Sequence, residues 1–433
     1  MTTFAIATLG CKVNTYESQG YESSLLEKGF QEVSFKEKAD VYIINTCAVT
    51  NTAGSKSRQK IHQARALNKD AIIAVVGCYV QTAKEQLEVM EHVDILVGSA
   101  GKKDLADRIE RAVKGEKEQN VLQDVRALRV FEALPVRHFE HQTRAFLKIQ
   151  DGCNQFCSYC IIPFARGAER SLPEDEVVMN AKNLCANGHR EIVLSGIHTG
   201  RYGRDLKTNL THVMKRLCDE VPNLERIRIS SIEMNEITDE LLEFMQQEPR
   251  IARHLHIPIQ TANDVVLKNM NRPYDVEWFL ERVHYIRSLM PDISISSDVI
   301  VGFPQETEEQ FQDTMQNIKE INFSFLHIFP YSKRDFTKAA TMPGHLDNKT
   351  KKERASRLAQ CSKELYTAYK QKFVNKEVDV LFEKEVDGML FGHTSEYLEV
   401  YCPADPSCLH TMQRVRIHSF EDDKLIACEI KED

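Results

Sequence analysis

The chain has 433 residues, 12 of them cysteine, and a formal net charge of −8 from 56 Lys and Arg against 64 Asp and Glu. Its length predicts roughly two to four domains, and no run of about 18 apolar residues offers a membrane span. The start, MTTFAIATLGCK, lacks a basic leader and a small-residue cleavage site, so the expectation is a cytoplasmic chain whose cysteines serve something other than disulfides.

The first third alternates short apolar runs with helical stretches. FAIATLG, VYIINT and AIIAVVG read as buried strands, with TYESQGYESSLLEKG and SKSRQKIHQARALNK as helices between them. That pattern predicts a parallel sheet with crossovers. A cysteine follows each strand: Cys11, Cys47 and Cys78. Ligands in open α/β sheets gather beyond the carboxyl ends of the strands. Three cysteines at equivalent ends are therefore expected to converge on one metal or cluster site, against the blander reading of buried apolar cysteine. The helix after Cys47 carries Lys56, Arg58, Lys60, Arg65 and Lys69 with no acidic residue. Such a run is often just a solvated face, but beside a metal site it favours phosphate contact and so a nucleic acid.

Residues 115–142 mix charges without periodicity and read as a connector. The β/α alternation then resumes, with strands expected at RAFLKIQ, REIVLSG, ERIRISS, HLHIPI, ISISSDVIV and FSFLHIFPY. PEDEVVMNAKNLCANG and NEITDELLEFMQQE are examples of the intervening helices. Six such units make a partial barrel, with reactive groups at the C-terminal ends of its strands. Directly after the first strand, IQDGCNQFCSYCIIP sets Cys153, Cys157 and Cys160 in C-x3-C-x2-C spacing. Three thiolates on one tight loop can hold three irons of a cubane cluster and leave one iron open. Reactive metal chemistry needs that open position, and a structural zinc would need a fourth Cys or His that the loop lacks.

Other strand ends offer ligand positions: Gly196 in SGIHTGRYG, Ser230 and Glu233 in RISSIE, Gln260 in HIPIQ and Gly302 in DVIVGFP. SGIHTGRYG is not a GxGxxG loop and also reads as a plain turn. His198, His254 and His256 read as hydrogen-bonded scaffold. Arg166 and Arg170 admit either an ion pair or the orientation of a cofactor or RNA. Cys185, Cys218, Cys361, Cys402, Cys408 and Cys428 form no close CxxC pair and read as structural.

Charge becomes uneven toward the C terminus. Residues 333–372 carry a net +7 and residues 373–433 a net −8. Lys349, Lys351, Lys352, Arg354 and Arg357 of the first stretch are candidates for phosphate contact. From about residue 371 the period becomes two. VDVLFEKEV, GMLFGHTS, YLEVYCP, RVRIHSF and LIACEI predict about five strands in a small antiparallel barrel of the OB kind. Its acidity favours base stacking, with Tyr397 and Tyr401 as candidates, over phosphate neutralisation.

IQDGCNQFCSYCIIPFARG resembles the cluster loop of radical S-adenosylmethionine enzymes, in the form used by methylthiotransferases. TLGCKVNTYES, INTCAVTNTAGSKSRQ and VVGCYVQ resemble the amino-terminal domain of that family, and the terminal β segment resembles a TRAM domain. Within the family the resemblance is closest to the MtaB-type branch. It implies an α/β fold of three domains and a linker: an N-terminal parallel α/β domain (1–125), a linker (126–141), a partial (β/α)6 radical SAM barrel (142–370) and a small TRAM β-barrel (371–433). It implies two 4Fe–4S clusters, one on Cys153, Cys157 and Cys160 that binds S-adenosylmethionine and an auxiliary one on Cys11, Cys47 and Cys78 that supplies sulfur. The strand ends at Gly196, Ser230, Glu233, Gln260 and Gly302 would seat S-adenosylmethionine. The implied reaction is 2-methylthiolation of N6-threonylcarbamoyladenosine at position 37 of tRNA. Its partners would be the anticodon stem-loop, an electron donor and a sulfur donor. Alternatives are the same chemistry on isopentenyladenosine or a ribosomal-protein aspartate, or a non-catalytic iron–sulfur or zinc RNA-binding protein.

Three departures from the family pattern stand out. Thr261-Ala262 follow Gln260 where Ser-Gly is usual, Gln305 replaces the second glycine of GFPGET, and Phe336-Thr337-Lys338 replaces a Gly-Thr-Pro run. The first two are expected to adjust the shape of a pocket.

Overall fold

The computed structural model describes residues 1–83, 87, 92–116, 120, 122–136, 139 and 142–430. Its first sheet holds β1 (Thr3–Thr8), β2 (Gln31–Glu32), β3 (Val41–Thr46), β4 (Ile72–Gly77) and β5 (Ile95–Val97), all parallel, in the order β2-β1-β3-β4-β5. Every residue of β3 is buried, because helices cover both faces of the sheet. Val41 and Ile43 pack with Tyr16, Tyr21 and Leu25 of helix α1 (Lys12–Glu27). Tyr42 and Ile44 point the other way, onto Ile61 and Ala64 of α2 (Asn51–Leu67). The two short edge strands, β2 and β5, were not expected, since so few residues show no period.

The connector is pressed into the core rather than slack. Val125, Phe131, Leu134, Val136 and Phe139 are buried, and the Tyr16 hydroxyl donates to the Leu134 carbonyl at 3.2 Å.

The central strands are β6 (Ala145–Lys148), β9 (Glu191–Ser195), β10 (Arg226–Ile229), β11 (His254–His256), β12 (Ser294–Val301) and β13 (Phe325–Pro330), with a two-stranded ribbon of β7 (Gln150–Asp151) and β8 (Arg170–Ser171) beside them. All six expected strands are present. They pair in parallel as two triplets, β6-β9-β10 and β11-β12-β13. A parallel bridge between Ile227 and Ile251 links the triplets. The N-terminal domain and this central part share one hydrophobic core, in which Tyr16 and Tyr21 join Leu147, Ile149 and Leu172.

After the long helix Asn348–Gln371 come β14 (Glu377–Val386), β15 (Met389–Thr394), β16 (Glu399–Cys402), β17 (Met412–Glu421) and β18 (Lys424–Glu429). They close into a ring in the order β14-β15-β16-β18-β17. The expectation of an antiparallel barrel needs one correction, because β16 and β18 run parallel. Five strands cannot alternate direction all the way round a closed ring, so one pair must be parallel. Among the described residues no helix is long and apolar enough to cross a membrane.

Candidate active site

The first sheet delivers its three cysteines to one edge. Cys11 caps α1, Cys47 follows β3 directly, and Cys78 opens the short helix α3 (Cys78–Thr82) at the end of β4. Gly10 lets the first loop close on the second. Its φ is +109°, and a Cβ there would stand 2.8 Å from Cys47 Cβ and 3.1 Å from Cys47 Sγ. Asn14 ties the same loops together, donating to the Leu9 carbonyl at 2.6 Å and the Thr46 carbonyl at 3.0 Å. Donors also face the sulfurs: the Val49 amide lies 3.5 Å from Cys47 Sγ, and Arg166 Nε 3.1 Å from Cys78 Sγ. Burial, with Cys78 alongside, pushes the Cys47 thiol up to about 12, so it needs a cation to displace its proton, as iron would.

The second set sits on the loop after β7, held from two sides. The Ser158 amide donates to the Met270 carbonyl at 2.9 Å, and the Ala339 amide to the Ser158 carbonyl at 2.7 Å. Cys153 Sγ lies 3.4 Å from both the Gln155 amide and His198 Nδ1. Burial and the nearby Arg201 and Arg272 push His198 down to about 3, so it meets the sulfur as a neutral imidazole. Arg272 Nη1 faces Cys157 Sγ at 3.5 Å while donating to Glu233 at 3.1 Å, and its other terminal nitrogen donates to the Pro258 carbonyl at 2.9 Å. Burial raises the Cys153 thiol to about 11 and the Cys160 thiol further. Among the described residues no three His, Cys, Asp or Glu groups close around a single metal ion.

The two sets meet at one wall. Ile161, next to Cys160, packs with Ala48, Cys78 and Ala165. Arg166 is fully buried and donates to Asn14 at 2.9 Å, Glu17 at 2.9 Å and Asp151 at 3.2 Å as well as to Cys78. Lys102 and Lys148 also pair with Glu17, at 2.7 and 3.0 Å, and Lys148 and Arg170 pair with Asp151, at 2.7 and 3.1 Å. Four buried cations thus surround two carboxylates. An anionic iron–sulfur group on Cys78 would balance the excess, which low dielectric makes costly to leave uncompensated. Beside the wall opens a cavity of about 400 Å³, lined by Ile161, Arg58, Tyr79, Arg334, Asp335 and Phe336 among others. That volume falls within the range of small-ligand sites.

Residues 3–98 match the family described as "Uncharacterized protein family UPF0004", and residues 147–318 match the Radical SAM superfamily. The "Threonylcarbamoyladenosine tRNA methylthiotransferase MtaB" of Bacillus subtilis (strain 168) is 42% identical over 423 residues, covering 96% of this chain and 94% of that protein. The chain belongs to the radical S-adenosylmethionine methylthiotransferases. The MtaB of Aquifex aeolicus (strain VF5) is 38% identical over 88% of this chain and 93% of its own. A "tRNA-2-methylthio-N(6)-dimethylallyladenosine synthase" of Moorella thermoacetica (strain ATCC 39073 / JCM 9320) is 35% identical, over 96% and 95%. Among solved structures, the radical S-adenosylmethionine methyltransferase TsrM of Kitasatospora setae has the same fold, with a TM-score of 0.56 at 13% identity over 78% of this chain and 75% of that one. Enzymes of the methylthiotransferase family work with S-adenosylmethionine and two 4Fe–4S clusters.

In this methylthiotransferase the remaining cysteines lie apart from the wall. Cys185, Cys218, Cys361 and Cys402 are buried, Cys408 is half-buried and Cys428 exposed, and none of the twelve forms a disulfide. Gly196 lies against Gln150, whose side-chain oxygen accepts from the Ile197 and His198 amides at 3.0 and 2.7 Å. Ser230 is buried, with its hydroxyl 3.3 Å from that of Thr199. Gln260 takes a left-handed backbone, φ +71°, where its carbonyl accepts from the Ile300 amide at 2.7 Å. A non-glycine residue held there is often functional. At Gly302, whose φ is +73°, a Cβ would stand 2.5 Å from Lys351 Cγ. His254 and His256 share the Ser296 hydroxyl, each at 2.9 Å, as scaffold.

Several cations expected to meet RNA turn inward instead. Lys351 and Arg354 are buried, because their helix lays this face on the barrel. Lys351 Nζ sits 5.3 Å over the Tyr331 ring, and Arg354 pairs with Glu306 at 2.5 Å. Arg65 is taken up by the Lys69 and Ala71 carbonyls and by Asp94. Lys56 and Lys352 are exposed, and Lys60 lies 4.8 Å over the Phe35 ring. Tyr397 is no outward platform: it stacks on His254 and His393, at 5.1 and 4.7 Å, where the terminal barrel meets the central domain. Asn14, Glu17, Asp151 and Arg272 were not singled out in the sequence, and only the position of Asp151, two residues before Cys153, hinted at a role.

Proposed function

We propose that this enzyme transfers a methylthio group to C2 of N6-threonylcarbamoyladenosine at position 37 of tRNA. The reading is carried by 42% identity across 96% of the chain to a relative whose name states that substrate. Cys153, Cys157 and Cys160 would hold the cluster that binds S-adenosylmethionine, and Cys11, Cys47 and Cys78 the auxiliary cluster. Bound there, these groups supply what acid–base side chains cannot at neutral pH, the exchange of an unactivated ring hydrogen for a sulfur substituent.

The chain's own residues set the geometry. Arg272, pinned by Glu233, directs a donor at Cys157, and Arg166 directs one at Cys78. Ile161 and its apolar neighbours keep water from between the two sets. Gly196, Ser230, Glu233, Gln260 and Gly302 lie at strand ends suited to seating S-adenosylmethionine. Residues 1–125, 142–370 and 371–433 act as the methylthiotransferase, radical SAM and TRAM domains, with 126–141 as the strap between the first two. The anticodon stem-loop is the RNA partner, met in the cytoplasm, and an electron donor and a sulfur donor complete the reaction. Nucleoside mass spectrometry of tRNA from cells with and without the gene tests this. The 2-methylthio-N6-threonylcarbamoyladenosine peak is expected to vanish without it, and an unchanged peak overturns the assignment.

A further inference from the structure

The cavity beside Ile161 is cationic where a site for an apolar base substituent would be greasy. Arg58 reaches it from α2, and its acceptors are two hydroxyls, those of Tyr79 at 2.5 Å and Ser55 at 3.2 Å. Among the described residues no carboxylate pairs with Arg58. Arg334 enters from the segment after β13, with Asp335 next to it. Aromatic rings flank these cations: Tyr79 lies 5.9 Å from the Arg58 guanidinium, and Phe336 is 65% exposed.

The cavity's position fixes what part of a nucleotide it meets. Tyr79 follows Cys78 and Ile161 follows Cys160 in the chain, so a residue adjoining a cysteine of each set lines it. On an adenine ring, C2 and the carbon bearing N6 are separated by one ring nitrogen. A base whose C2 faces the cysteines therefore carries its N6 substituent into the same cavity.

We infer that Arg58, seconded by Arg334, binds the carboxylate of the threonylcarbamoyl group and so selects acidic N6 substituents over apolar ones. This rests on the substrate reading above. A guanidinium fork matches a carboxylate in two parallel hydrogen bonds, and an apolar substituent would leave the cation desolvated and unpaired. The chemistry is that of anion recognition, which an RNA phosphate could also satisfy, and the test separates the two.

The test compares binding of the cluster-loaded, full-length enzyme to two anticodon stem-loops. One bears N6-threonylcarbamoyladenosine, and the other has its acid converted to a carboxamide. The wild type is expected to favour the acid by about ten- to a hundredfold, the usual scale for a charge-assisted pair. Arg58→Gln is expected to bring the ratio near one by weakening the acid stem-loop alone. Arg58→Lys and Arg334→Gln, which remove the fork or the second cation, are expected to fall between. Equal weakening of both stem-loops by Arg58→Gln would assign the residue to phosphate and overturn the inference, as would equal wild-type affinity for both. Wild-type methylthiolation of an isopentenyladenosine stem-loop in place of the threonylcarbamoyl one is a separate result, and it overturns the substrate reading itself.

Discussion

Arg166 Nε lies 3.1 Å from Cys78 Sγ, although the two residues fall in the spans of two different family matches. The same guanidinium reaches Asn14, Glu17 and Asp151. One side chain, placed just after the second cysteine loop, thereby positions a sulfur of the first set. Arg166→Ala should cost about 3–5 kcal/mol, because it leaves buried carboxylates short of a partner. The drop is read as a lower midpoint of urea unfolding. Arg166→Lys keeps the charge but cannot reach all four partners, so a smaller loss is expected. An Arg166→Ala protein as stable as the wild type would show that the network contributes nothing net.

The division between the two cysteine sets predicts unequal variants. Cys157→Ala should abolish S-adenosylmethionine cleavage. Cys47→Ala should leave cleavage measurable while methylthiolation stops, and each variant should lose about half of the bound iron. Iron analysis and product chromatography on the same preparations check both statements. Equal loss of both activities in Cys47→Ala would count against separate roles.

The terminal barrel is fastened through one buried carboxylate. Glu191 accepts from Arg226 at 3.1 Å and Arg228 at 2.8 Å. Those arginines also donate to the carbonyls of Asp379, His393, Thr394 and Ser395 in the barrel. Burial opposes ionisation of Glu191, but Arg228, Arg226 and Arg144 outweigh it and hold the carboxyl at about 2 instead of the usual 4.5. The folded value lies below the unfolded one, so the stabilisation is complete above about pH 4.5 and drains as the pH falls toward 2. It amounts to a few kcal/mol at most. Thermal unfolding is expected to be flat in pH down to about 5 and to fall below that. Glu191→Gln should start lower at pH 7 and lose less on acidification, whereas parallel acid limbs would exclude Glu191 as the titrating group.

The cysteines and the strands were legible in the sequence because both depend on local pattern. A strand that buries both faces reads as an apolar run, and a cysteine at its end needs no further context. Arg354 and Lys351 were misread for the converse reason. A basic stretch on a helix reveals its composition, but the face that meets the barrel is set by residues such as Glu306, far back in the chain. Glu17 and Arg272 likewise gain their meaning only when separate segments are brought together.

Two departures from the family pattern acquire a physical description in the structure. Gln305 and Phe336 replace residues in glycine-containing runs, and both have positive φ, 68° and 71°. A side chain in that region costs about 1–2 kcal/mol. Gln305→Gly should therefore raise stability by roughly 0.5–1 kcal/mol after the entropic cost of glycine, seen as a melting point a few degrees higher at most. An unchanged or lower melting point would mean that Gln305 makes compensating contacts.

The buried strap and the shared core bear on how the chain is made. While the first 120 or so residues leave the ribosome, Tyr16 and Tyr21 of α1 already have Val41 and Ile43 to pack on, but their further apolar neighbours Leu134, Leu147 and Leu172 have yet to be synthesised. The amino-terminal sheet thus waits, half-finished, for the strap and the strands beyond it. Contact between Arg166 and Cys78 is likewise possible only after translation has passed the second cysteine loop.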